Sequence, residues 1–202
     1  NDAMHSPLQR DLLAWRDSGD DSAAARVIAG LHGQIQRIVV NHLPRGTDPA
    51  DLVQETFVQL FKTLHRYDFS RPLENWVSRL TLNLCLNALR ARSRRPEFRW
   101  SDLTDEAQRA AEALLQQPDT GPNAQESREL IFHLLETLEP KDRMIITLLH
   151  LEERSLTEIS ELTGWSSAAI KVRAFRARHR LRKAMHQLLS EHPARNPVAS
   201  RV

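Results

Sequence analysis

Residues 156–181 read LTEISELTGWSSAAIKVRAFRARHRL, and this stretch decides the fold. Ser155 with Glu158 makes a capping-box pattern, in which an N-cap hydroxyl and a third-position carboxylate satisfy each other's backbone N–H groups and start a helix. Ile159 and Leu162 give that helix a buried side, and Gly164 permits a tight turn before a second helix capped by Ser166. In the second helix Ile170, Ala174, Ala177 and Leu181 share one face at about 100° per residue. Lys171, Phe175, Arg178 and Arg182 share another, with Val172, Arg176 and His179 beside them. One face packs and the other is cationic: from Trp165 to His186 seven Lys or Arg stand against no Asp or Glu. The spacing predicts a helix-turn-helix whose second helix meets phosphates and base edges.

Upstream, apolar residues recur at helical spacing from Ser22, an N-cap residue, through Ala24, Ile28, Leu31, Ile35, Ile38 and Val39. A loop at Pro44 to Thr47 precedes Asp48-Pro49, an N-cap residue followed by proline at the first helical position. The helix that starts there places Val53, Phe57, Leu60, Phe61 and Leu64 on one side and Asp51, Glu55, Gln59 and Lys62 on the other. After a break at Tyr67 to Pro72, a third helix runs from about Leu73 to Arg92. Its apolar side is Leu73, Val77, Leu80, Leu84 and Ala88; opposite lies a polar stripe of Arg79, Asn83, Asn87, Arg90 and Arg94, with Trp76 on the same side. Arginine neutralises phosphate, asparagine hydrogen-bonds a base edge or sugar, and an aromatic ring stacks on an unpaired base.

Between these helical groups, Pro96 to Glu126 carries seven acidic residues against two arginines and lacks a sustained apolar face. It reads as an acidic linker. The expected architecture is all-α: a helical domain over 5–95, a flexible acidic linker over 96–125, a second domain ending in the helix-turn-helix over 126–190, and a disordered tail over 191–202. In the second domain periodicity returns at Ile131, Leu134, Leu135 and Leu138 and resumes after Pro140 from Met144 to Leu151. The whole chain of 202 residues has a formal net charge of only +2, so it is the placement of its charges that carries information.

Composition also excludes function classes. One cysteine, Cys85, rules out an intrachain disulfide framework or a multi-cysteine zinc site and fits a reducing cytoplasm. It sits among Leu82, Leu84 and Leu86 and reads as a small buried apolar residue. No uncharged apolar run approaches the roughly 20 residues that cross a bilayer, so no direct membrane insertion is expected. Nine histidines scatter without an H-E-x-x-H spacing. No catalytic residue, metal or cofactor is expected, and the chain reads as not an enzyme.

Taken together, DPADLVQETFVQLF from Asp48, NWVSRLTLNLCLN from Asn75 and the C-terminal helix-turn-helix resemble a bacterial RNA polymerase sigma factor of the extracytoplasmic-function (group IV) type. The resemblance implies a promoter-specificity subunit that directs initiation by minus-35 duplex recognition and minus-10 strand opening. It implies as partners core RNA polymerase (the clamp of the β-prime subunit and the β flap), promoter DNA and an anti-sigma factor that holds the protein inactive. Asp51, Gln54, Glu55 and Thr56 fall in the segment matching the polymerase-binding helix, with Phe57 in a packing role. Trp76, Arg79, Asn83, Asn87 and Arg90 match the minus-10 surface, and Tyr67 to Asn75 the loop that holds an extruded base. Lys171, Val172, Arg173, Phe175, Arg176 and Arg178 match the helix that enters the major groove at the minus-35 element. The alternative reading is a stand-alone helix-turn-helix regulator that binds operator DNA as a dimer.

Overall fold

The structure is a computed structural model describing residues 5–43, 47–92, 105, 107, 109–110 and 124–190. Among the described residues all regular structure is helical. Two compact units form: Asn1–Arg92 together with Thr147–Ser167, and Ser93–Ile146 together with Ala168–Val202. Residues 147–167, which the sequence places with the C-terminal half, thus group with the N-terminal helices.

The first unit opens with a helix absent from the sequence expectations, α1 (Pro7–Ser18). Ser6 and Gln9 form its capping box, Pro7 occupies its first turn, and Gly19 ends it in the left-handed region at φ 68°. Helix α2 (Asp21–His42) is capped by Asp20 rather than Ser22, because the Asp20 carboxylate accepts from the Ser22 N–H at 2.9 Å. Its buried row is Ala23, Val27, Leu31, Ile35, Ile38 and Val39. Ala24 is only half-buried and Ile28 is 38% exposed, because α1 packs on α2 and draws the core row one position earlier.

Helix α3 (Pro49–Thr63) starts as its sequence predicts, with the Asp48 carboxylate accepting from the Ala50 N–H and Pro49 in the first turn. Leu52, Val53, Phe57 and Leu60 are buried, and a 3-10 turn (Leu64–Arg66) buries Leu64. In α4 (Leu73–Arg92), Leu73 and Val77 are buried as expected. The core row then continues through Ser78, Thr81, Leu82, Cys85, Leu86 and Leu89, leaving Leu80, Leu84 and Ala88 half-buried. Two polar residues fit this row because their hydroxyls are satisfied: Thr81 donates to the Val77 carbonyl at 2.8 Å, and Ser78 accepts from the Gln34 amide at 2.8 Å.

The unit is completed by a π-type turn (Thr147–Leu151) and a short helix (Leu156–Thr163) that follows Ser155. Glu152, just after the turn, accepts from His42 Nε2 at 3.0 Å and from the Asn41 amide at 3.4 Å. Burial pushes the Glu152 carboxyl up, but the bonds and charge of His42, with Asn41 and Arg154, outweigh it and hold it below its ordinary value.

In the second unit, α5 (Ala124–Glu136) and α6 (Pro140–Ile146) precede the turn, α7 (Leu156–Thr163) follows it in the first unit, and α8 (Ser167–Ser190) returns the chain to the second. Leu134, Leu135 and Leu138 are buried as expected, but Ile131 is 41% exposed. Helix α8 buries Ile170, Ala174, Ala177 and Leu188, with Leu181 half-buried. One core cluster joins Leu135, Leu138, Ile146 and Ala177. A second joins Leu130, Leu134 and Leu188 to Ala107 and Ala110, which lie inside the expected linker. Residues 105, 107, 109 and 110 are helical, so that segment contributes to a core; the rest of 96–123, Arg94 and the tail over 191–202 lie outside the described residues.

Candidate nucleic-acid interface

The minus-10 candidates sit on α4 and the loop before it. Tyr67, 6% exposed, packs against two rings: Trp76 at 4.9 Å between centroids and Phe69 at 4.7 Å. Burial pushes the Tyr67 phenol above its ordinary value. The Asp68 carboxylate accepts from the Ser70 hydroxyl at 2.7 Å and the Ser70 N–H at 3.0 Å, and these bonds hold it below the usual range. Trp76 is half-buried, with one face taken by Tyr67.

A cleft of about 290 Å³ joins Trp76 to Arg79 and Asn83, with Thr63, Arg66 and Leu80 completing its wall. A larger one, about 680 Å³, runs from Tyr67, Asp68, Arg71 and Asn75 past Trp76 and Arg79 to Glu158 on α7. The structure therefore brings Trp76, Arg79 and Asn83 together beside the 67–75 loop. Asn87 and Arg90 are exposed farther along α4 and bonded to each other at 3.4 Å. Guanidinium groups, an amide and stacked rings at one cleft are the groups that hold an unpaired, phosphate-linked base.

On α3, Asp51, Gln54 and Glu55 are exposed on one face. Thr56 is not part of it: the side chain is fully buried and its hydroxyl donates to the Leu52 carbonyl at 2.8 Å, leaving nothing to offer a partner. Phe57 is buried at 8% exposure, in the packing role expected of it. Beside the acidic face, Ile28, Val53, Phe57, Val58 and Phe61 line an apolar cleft of about 730 Å³ between α2 and α3.

The third surface is α8. Its local start follows the sequence: the Ser155–Glu158 capping box is formed, Ile159 is fully buried, and Gly164 closes α7 at φ 73° with its N–H donating to the Ser160 carbonyl. Ser160 also donates from its hydroxyl to the Trp165 carbonyl at 2.8 Å, bracing the turn. Lys171, Arg176 and Arg178 are exposed, and between them Val172 and Phe175 are 56% and 68% exposed. Large apolar groups on a cationic face suit the 5-methyl groups of thymine. Arg173 departs from the expected set: its guanidinium donates to the carboxylate of Asp142 at 2.8 Å, where the Asp142 side chain is 5% exposed. It ties α8 to α6 rather than standing free on the cationic face.

A family model for sigma-70 region 2 matches residues 27–95, and one for sigma-70 region 4 matches residues 128–181. The ECF RNA polymerase sigma-E factor of Salmonella typhimurium is 26% identical over 190 residues, 92% of this chain and 99% of that protein. The chain belongs to the extracytoplasmic-function sigma factors. Two solved structures share the fold of this sigma factor. CnrH, solved in complex with the cytosolic domain of CnrY, is 24% identical with a TM-score of 0.55, covering 89% of this chain and 98% of that one. The sigma factor RpoE, solved with the anti-sigma factor NepR from Bartonella quintana, is 16% identical with a TM-score of 0.51, covering 80% and 96%. The family comprises transcription initiation factors rather than enzymes. Among the described residues no three metal-ligating side chains gather, and no helix is long and apolar enough to cross a membrane.

Two residues that shape these surfaces escape the sequence reading. Asp142 gives no signal, since an acid in a first helical turn ordinarily serves the helix dipole. Gln9 does give one: Ser6-Pro7-Leu8-Gln9 is an S-x-x-Q capping box with proline at the first helical position.

Proposed function

We propose that this sigma factor is the promoter-specificity subunit of RNA polymerase and divides its work among three faces. Lys171, Val172, Phe175, Arg176 and Arg178 read the minus-35 duplex, with Arg173 supporting them. Trp76, Arg79 and Asn83, with Asn87, Arg90 and the 67–75 loop, hold the minus-10 strand once it is unpaired. Asp51, Gln54 and Glu55 bind the β-prime clamp, while the C-terminal domain meets the β flap. Residues 5–95 and 126–190 are the two functional domains, whichever compact unit residues 147–167 join. The protein catalyses nothing itself and acts in the cytoplasm, where polymerase is, under the control of an anti-sigma factor.

The observation that carries this reading is the cleft that gathers Trp76, Arg79 and Asn83 beside the 67–75 loop. Extruding a base costs a few kcal/mol, and a preformed cleft with stacking and charged groups offsets that cost. Duplex contact by α8 places the cleft over the promoter, and capture of the open strand shifts the equilibrium toward opening. Run-off transcription with purified core polymerase on a genomic promoter library tests it. Transcripts starting at a shared set of promoters only when this protein is added support the assignment; operator binding as a symmetric dimer without polymerase, and no promoter-directed transcript, would refute it.

A further inference from the structure

We infer that Gln9, on α1, is a positioning residue for minus-10 recognition: its side-chain amide fixes the shape of the loop that holds the extruded base. The inference rests on the assignment of the 67–75 loop as the base-holding loop. Gln9 is 6% exposed and lies 58 to 62 residues away in sequence from the groups it holds. Its Nε2 is 2.6 Å from the Tyr67 hydroxyl, 3.0 Å from the Arg71 carbonyl and 3.2 Å from the Phe69 carbonyl. The Tyr67 hydroxyl in turn donates to the Arg71 carbonyl.

The orientation of this amide is determined by chemistry. The Ser6 N–H donates to Gln9 Oε1 at 2.7 Å, and an N–H requires the oxygen there. The amide nitrogen must therefore face the loop, where every group presented to it is an acceptor. Its two hydrogens serve three acceptors, and the Tyr67 hydroxyl accepts one while donating onward, a relay in which each bond polarises the next. The bond from the Ser6 N–H, one half of the capping box that starts α1, is thus what aims the amide nitrogen at the loop. Neighbouring side chains brace the loop from the same end of the chain: the His5 ring meets Phe69 edge-on at 6.1 Å, and the Arg16 guanidinium lies 5.2 Å over the Phe69 ring.

The consequence concerns discrimination more than affinity. With the amide removed, the carbonyls of Phe69 and Arg71 lose a shared donor and the loop gains alternative shapes, so several bases fit where one did. Any stable α1 would cap a helix; only a donor at this point selects one loop shape.

The test is selection of forked DNA whose single-stranded minus-10 segment is randomised, by holoenzyme assembled from core polymerase and the full chain. Three variants are compared with wild type: Gln9→Met, which keeps volume and helix propensity but has no donor; Tyr67→Phe, which removes the relay hydroxyl and keeps the ring stack; and Ser6→Ala, which removes the cap hydroxyl without touching the loop. The expected result is a fivefold or greater fall in base preference at one position for Gln9→Met and Tyr67→Phe, with preferences elsewhere and core-polymerase affinity unchanged, and wild-type preference for Ser6→Ala. Retained preference in both of the first two variants, or an equal loss in Ser6→Ala, overturns the inference. Should Gln9→Met fail to fold, Gln9→Glu takes its place, since it keeps an acceptor for the Ser6 N–H but offers no donor to the loop. Asp68→Ala and Arg71→Ala separate the two levels: if they erase the preference and Gln9→Met does not, only the positioning role fails; if neither alters it, the base-holding assignment of the loop fails.

Discussion

Replacing Gly164 by alanine tests whether the turn between α7 and α8 depends on left-handed backbone. Gly164 sits at φ 73°, and an L-residue there costs roughly 1–2 kcal/mol. An added Cβ would lie 3.0 Å from Arg79 Nη2, the far end of a flexible side chain, so the steric contribution is small. Alanine also stiffens the unfolded chain, which returns about 0.4–1 kcal/mol. The net expectation is a loss of about 1 kcal/mol, or roughly a fivefold change in the unfolding equilibrium. Asparagine, which tolerates the left-handed region, should lose about half as much. Gly33 supplies the internal control: it lies mid-helix in α2 with nothing within 4 Å of its absent Cβ, so Gly33→Ala should gain about 0.5–1 kcal/mol.

Urea unfolding followed by far-ultraviolet circular dichroism reads all three variants, with minus-35 duplex binding as the functional companion. The two alanine substitutions should move the midpoint in opposite directions. If Gly164→Ala were as stable as wild type, or no worse than Gly164→Asn, the reasoning from backbone conformation would be wrong. If Gly164→Ala lost stability but bound duplex as wild type does at saturating folded protein, the turn would serve folding alone.

On α8, Arg176→Ala should weaken minus-35 binding by about 1–3 kcal/mol if it reads a base, or reduce the salt slope by about one if it neutralises a phosphate. Phe175→Ala should leave the salt slope unchanged and remove any preference for thymine over deoxyuridine, measured by titration of matched duplexes. On α3, Glu55→Lys should weaken capture of core polymerase tenfold or more in a surface-binding assay, whereas Thr56→Val, at a buried and internally bonded site, should leave that affinity unchanged. Glu152 is held below its ordinary value of 4.5, so its pairing stabilises the fold fully above that pH and loses this contribution as pH falls through the lower folded value. Wild type should therefore lose its stability advantage over Glu152→Gln below about pH 4.5, and an advantage that persisted at low pH would contradict the assignment. Cys85 is fully buried and its thiol is pushed up to about 12, so a disulfide reagent at pH 8 should modify it only as fast as the protein unfolds.

Most helices and several of their caps were legible in the sequence because those depend on neighbours within four residues, although α1 was missed and the start of α2 was placed at Ser22 rather than Asp20. The Asp48-Pro49 start, the Ser155–Glu158 box and the left-handed Gly164 all follow from local rules. What it could not resolve depends on partners far along the chain. The buried face of α4 is wider than its leucine spacing suggests because Gln34, forty-four residues away, satisfies Ser78. Likewise Arg173 looks like one more cation on a basic face until Asp142 is found beneath it, thirty-one residues earlier. Thr56 failed as a contact residue for another reason: a threonine that donates to the carbonyl four residues back can be buried at little cost, so its polarity says nothing of exposure.

This distinction bears on how strand opening is divided between affinity and selectivity. Exposed groups such as Arg79, Asn83 and Arg176 can bond directly to DNA, and truncating any one of them should weaken binding by about what its own bonds to DNA contribute. Buried polar groups such as Gln9 and Asp142 have almost no surface to offer DNA but bond to the 67–71 loop and to Arg173, and a displacement of about 1 Å is enough to spoil a bidentate or stacked interaction. A pocket that must offset the few kcal/mol of base extrusion cannot also spend binding energy on ordering a loose loop. The internal hydrogen bonds of the 67–72 loop meet that requirement before DNA arrives: Gln9 and the Tyr67 relay hold its two ends, and Asp68 with Ser70 closes the turn between them. If the proposed positioning role holds, substitutions in that buried network should change which promoters open before they change how tightly duplex DNA is bound.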